Sequence, residues 1–111
     1  LQALILPEMS THIQISRSQI DSLCQRWQVS ELALFGSVVR EDFGPDSDVD
    51  VLIQFQPQAR HTLLDMARME EELRRIFGRD VDLVERSAVE KSRNHFRRKA
   101  ILQSAEPIHA A

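Results

Sequence analysis

Residues 34–55, LFGSVVREDFGPDSDVDVLIQF, decide how this chain folds. An apolar run ends at Gly36-Ser37, and the loop EDFGPDS (41–47) follows with Gly, Pro and Asp punctuation. DVDVLIQF (48–55) then alternates, with Asp48, Asp50, Leu52 and Gln54 on one face and Val49, Val51, Ile53 and Phe55 on the other. Aspartate is disfavoured in strands, and a carboxylate beside a core is costly without compensation. Two aspartates at the start of an apolar strand therefore need a chemical reason.

The neighbouring segments set the frame. Upstream, ELALF (31–35) is apolar on both faces, as in a strand covered on both sides. Gly36-Ser37 ends it and opens a short helical turn through Arg40. Before that strand, Ile20, Leu23, Cys24 and Trp27 recur at i, i+3, i+4 and i+7, an amphipathic helix with Ser16 and Gln19 as a capping box. Downstream, a helix spans about 62–77, striped by Leu63, Met66, Met69 or Glu70, Leu73, Ile76 and Phe77, with Gly78 as its C-terminal cap. DVDLVE (80–85) repeats the aspartate device in a further strand. Ser87 and Glu90 then read as a capping box for a helix continuing to about Ser104. The pattern predicts an α/β (α+β) domain over residues 16–108 on a small sheet, preceded by an arm over 1–15.

Composition narrows the function. The chain has 111 residues, 42% hydrophobic and 28% charged, enough for one core. A net charge of −3 argues against coating nucleic acid by charge alone. The apolar runs are too short to span a bilayer, and LQALILPEMS lacks the marks of a signal peptide. A single cysteine, Cys24, suits a reducing, cytoplasmic setting. The histidines at 12, 61, 95 and 109 lack metal-ligand spacing, and three glycines write neither a P-loop nor a dinucleotide turn. An EF-hand reading of Asp46, Asp48 and Asp50 fails, because its positions six and twelve are Val51 and Pro57. Five basic residues between Lys91 and Lys99 read as a solvated helix face rather than a dock for an acidic partner or RNA.

Asp48 and Asp50 advance roughly 6.6 Å along a strand, too far to share a proton but suited to converge on divalent cations. Mg²⁺ takes one or two carboxylates and leaves positions for phosphate and water. Asp82, embedded between apolar residues, is the leading third acid, with Asp80 its competitor. Two ions can stabilise both attacking and leaving oxygens at phosphorus. Gly36 admits close approach to the backbone, the turn beyond it offers N–H donors, Ser37 adds a hydroxyl and Arg40 a positive charge.

Gly36-Ser37, ten residues, then Asp48-Val49-Asp50 has the form G-S-x10-D-x-D, which resembles the signature of the DNA polymerase β-like nucleotidyltransferase superfamily. Length, SDVDVLI and the later GRDVDLV resemble its minimal nucleotidyltransferase (MNT) branch, the antitoxins of HEPN/MNT toxin–antitoxin pairs. That resemblance implies a nucleotidyltransferase fold with a small mixed β-sheet flanked by helices. It implies Mg²⁺, two ions, at Asp48, Asp50 and Asp82, with ATP at Gly36 and Ser37, beside the Arg40 read above as a phosphate contact. It further implies AMP transfer to a tyrosine hydroxyl of a HEPN toxin, and Asp82 as metal ligand or as base. The chain itself contains no tyrosine. About 100 residues leave little to grip base and acceptor, so a HEPN partner or a second copy is expected to complete the site. The rival expectation is a non-catalytic antitoxin that neutralises its partner by direct complex formation.

Overall fold

The computed structural model describes residues 13, 15–40 and 43–110. Helix α1 (Arg17–Arg26) leads to strand β1 (Val29–Phe35), a tight 3-10 turn (Gly36–Val39) and strand β2 (Val49–Phe55). Helix α2 (Leu63–Phe77), strand β3 (Val81–Glu85), helices α3 (Arg86–Glu90) and α4 (His95–Ser104) and strand β4 (Glu106–Ala110) follow. The four strands form one mixed sheet in the order β3-β2-β1-β4. β1 is antiparallel to both β2 and β4, while β3 runs parallel to β2, as a crossover through α2 requires. The sheet flanked by helices is the fold that the alternation of strand and helix patterns predicts.

Both faces of the sheet are covered, which explains why β1 is apolar throughout. On one face Leu32, Leu34, Val49, Val51 and Ile53 pack with Ile20, Leu23 and Cys24 of α1 and Met69 and Leu73 of α2. On the other, Ala33, Phe35 and Leu52 meet Val89 of α3 and Ile101 of α4. Cys24 is a packing residue: burial, reinforced by nearby Asp21, pushes its thiol up to about 12. No described helix is long and apolar enough to cross a membrane.

Several local expectations need correction. The capping box that forms is at Thr62 and Asp65 of α2, with each side chain accepting from the other's backbone N–H. Ser16 does occupy the N-cap position of α1, but without a side-chain bond. The Ser87–Glu90 box is absent because the helix begins earlier, at Arg86, and Glu90 pairs with Arg86 at 3.2 Å. The helix expected to run unbroken to Ser104 is two helices. Asn94 caps the second by accepting from the Arg97 N–H at 3.0 Å, and short polar side chains such as Asn compete with continuous helix in this way. Leu63, counted in the α2 stripe, is 89% exposed. Trp27 lies just past the end of α1 and donates its indole N–H to Glu72 at 2.9 Å.

Strand β4 has no counterpart in the sequence pattern. It is a five-residue edge strand that tolerates Pro107 because it pairs on one side only. It is held down by Ile108 in the core, by Arg17 donating to the Ile108 carbonyl at 2.9 Å, and by His109 against Asp21. It runs to Ala110. The arm expected over 1–15 lies almost entirely outside the described residues.

Candidate active site

The sheet register brings the expected acids together at one corner. Phe35, the last residue of β1, stands opposite Asp50, and Asp50 stands beside Asp82 on parallel β3. Neighbouring strands lie roughly 4.8 Å apart, so the Asp50 and Asp82 side chains leave the same sheet face as adjacent prongs. Asp48 precedes β2 by one residue and is exposed; Asp50 is half-buried and Asp82 exposed. The competitor, Asp80, is separated from this group. Its carboxylate is 83% exposed and lies 3.9 Å from Arg74 of α2, while its carbonyl accepts from the Val49 N–H at 2.9 Å.

Gly36 closes the corner from above. Its φ is +74°, the left-handed region that glycine enters without steric penalty. A Cβ at this position would overlap the Oδ2 of Asp50 and stand 3.2 Å from its Cγ. The two ends of the G-S-x10-D-x-D pattern are therefore in van der Waals contact, and no side chain fits between them. Ser37 lies within the 3-10 turn, whose N-cap position is taken by Phe35. Its hydroxyl hydrogen bonds to no described residue. Arg40 follows the turn, exposed, with its N–H on the Ser37 carbonyl at 2.9 Å. The alternative expected from sequence, an exposed Arg40 pairing with Glu41 or Asp42, involves residues outside those described.

Electrostatics at the corner follow from this crowding. Burial first, then the Asp82 and Asp48 carboxylates, push the Asp50 carboxyl above its ordinary range, and Arg40 and Arg97 partly offset the shift. Asp50 is thus a carboxylate crowded by burial and by negative neighbours. Among the described residues, no three His, Cys, Asp or Glu groups are gathered tightly enough to cage an ion by themselves.

Two contributors have no counterpart among the expected site residues. Arg79, just after the Gly78 cap, donates to the Gly44 carbonyl at 2.8 Å and the Ser47 carbonyl at 3.1 Å, and lies over the Phe43 ring at 4.3 Å. It pins the loop that delivers Asp48. Ser47 shapes the same loop, its hydroxyl accepting from the Gly44 N–H at 3.0 Å. Arg97 belongs to the basic stretch read as a solvated face, yet α4 lies on the carboxylate side of the sheet. Its i−4 spacing from an apolar residue, Ile101, was the available signal. A cleft of about 530 Å³ lies elsewhere, at the far end of β2, lined by Phe55, His61, Met66 and Arg86 among others.

Residues 16–108 match the nucleotidyltransferase-domain family. A protein adenylyltransferase, MntA of Thermococcus cleftensis, is 40% identical over 67 residues, 60% of this chain and 66% of that protein, just under two thirds of its length. A solved structure described as a minimal nucleotidyltransferase superposes with a TM-score of 0.63 at 34% identity, covering 82% of this chain and 87% of that one. A toxin–antitoxin crystal structure with AMP-PNP shares the fold, with a TM-score of 0.65 at 15% identity over 87% of this chain and 75% of that one.

Proposed function

The chain belongs to the nucleotidyltransferase-domain family, and on that premise we propose that it transfers AMP from ATP to a hydroxyl of a HEPN toxin partner, silencing it as an antitoxin. The observation that carries this reading is the closed corner of Gly36, Asp50 and Asp82, where a backbone turn without a side chain meets paired carboxylates. The partner is inferred from relatives: MntA of T. cleftensis is a protein adenylyltransferase, and a solved MntA–HepT toxin–antitoxin complex shares the fold at 13% identity and a TM-score of 0.57.

In this reading the Gly36-Ser37 turn receives the triphosphate, with the Ser37 hydroxyl as an added donor and Arg40 as a countercharge. Asp48, Asp50 and Asp82 are the residues that would hold Mg²⁺, which when bound neutralises charge on the phosphates. The acceptor oxygen forms a bond to the α-phosphorus as the bond to the bridging α–β oxygen breaks, and pyrophosphate departs with that oxygen. Asp82, the exposed member of the pair, accepts the proton of the attacking hydroxyl. A tyrosine acceptor must be external, since the chain has none.

The test uses the purified protein with Mg²⁺, its partner and ATP labelled at either the α- or the γ-phosphate. Label is expected in the partner from α only, and it should vanish with Asp50→Asn. If neither label transfers while the two proteins still form a complex that blocks the toxin, the chain neutralises by binding alone.

A further inference from the structure

Arg97 differs from Arg98, its neighbour in the basic stretch, in what its side chain touches. Arg98 is engaged with the Glu90 carbonyl and the His95 ring, and Arg86, on the preceding helix, with Glu31 and Glu90. The Arg97 guanidinium makes no hydrogen bond or ion pair among the described residues. Position matters as well. Ile101, one helical turn on, is buried with Ala33, Phe35 and Leu52 on the sheet face that carries Asp50 and Asp82. Residues i and i+4 share a helix face, so Arg97 extends the buried side of α4 toward the carboxylate corner. A guanidinium fork matches phosphate oxygens in pairs.

From this placement we infer that Arg97 binds the polyphosphate chain of the nucleotide, forming the α4 wall of the site beside the Gly36-Ser37 turn. The inference rests on the nucleotide reading above and adds to it a ligand-binding residue from a different helix. It predicts that α4 contributes to triphosphate affinity and leaves recognition of the nucleoside to other groups.

The experiment is a binding competition at fixed Mg²⁺ between a fluorescent ATP analogue and either ATP or inorganic tripolyphosphate. It compares wild type with Arg97→Gln, Arg97→Lys and Lys99→Gln. Lys99 is exposed and two residues along the helix, on the far side from Arg97, so its variant makes the same charge change away from the corner. Arg97→Gln should weaken both competitors about tenfold, the scale of one charge-assisted contact. Arg97→Lys should fall between, and Lys99→Gln should match wild type. Equal affinity in Arg97→Gln and wild type overturns the inference and leaves the nucleotide reading intact. An equal loss in Lys99→Gln overturns it too, by reducing the effect to general charge. Wild type that binds no triphosphate overturns the nucleotide reading and this inference with it.

Discussion

At the scale of single residues, Asp50 and Gly36 constrain each other. The Asp50 carboxyl is shifted upward, so between its unfolded and folded pKa the native state holds more protons than the unfolded chain. Stability therefore falls as pH rises through that interval, and at neutral pH the ionised Asp50 is a standing cost. Asp50→Asn is expected to melt above wild type at pH 7 in EDTA, and excess Mg²⁺ should then raise the melting temperature of wild type only. Saturation to 100 times Kd would be worth about 2.7 kcal/mol to the wild type. A variant that melts below wild type in EDTA would contradict the electrostatic account. Gly36→Ala meets two obstacles at once. The left-handed conformation costs an L-residue about 1–2 kcal/mol, and the new methyl must displace the Asp50 carboxylate. Thermal melts should show the first loss, and nucleotidyl transfer should be abolished in whatever fraction remains folded.

At the scale of elements, the site depends on how loops are fastened. Arg79 binds two carbonyls of the Phe43–Ser47 loop and stacks on Phe43, so Asp48 is delivered by a braced segment. Arg79→Ala should raise the Mg²⁺ concentration giving half-maximal transfer and lower the rate roughly 10- to 100-fold, as expected for a displaced reactive group. Arg79→Lys keeps the charge and should recover part of the loss. A uniform fall in maximal rate with an unchanged Mg²⁺ requirement would instead mean general damage. On the other side of the sheet corner, Glu70 of α2 accepts from the Leu83 N–H at 3.2 Å and ties down edge strand β3, next to Asp82. The stripe reading left Met69 and Glu70 as alternatives for one position. Met69 is buried in the core, and Glu70 holds the strand.

At the scale of the whole molecule, the sheet is a layer between two apolar groups, and its outer strand comes from the end of the described chain. Ile108 of β4 is 7% exposed and belongs to the main core. Ile108→Ala should cost about 2–4 kcal/mol in urea unfolding, a loss set by transfer and cavity terms. Near-zero loss would mean that β4 is peripheral to folding. Closure of the site also depends on this layering: α4 reaches the carboxylate face only because Ile101 and Val89 bury their side chains there.

By itself the sequence determined what local chemistry can encode. The period-2 run after Asp48, the glycine stop at Gly36, the extent of α2 and the Gly78 cap each depend on neighbours a few residues away, and each takes its expected place within one or two residues. The G-S-x10-D-x-D spacing made Gly36, Asp48 and Asp50 legible as one group, because the loop between them spans a single hairpin-like return. The break at Asn94 and the strand at 106–110 were not legible. One turns on a cap competing with helix, the other on a five-residue edge that has no pattern until β1 pairs with it. The choice between Asp80 and Asp82 as neighbour of Asp50 and the clamp of Arg79 were decided by tertiary structure alone. Each depends on strand register or helix packing between residues distant in the chain, which no local periodicity records.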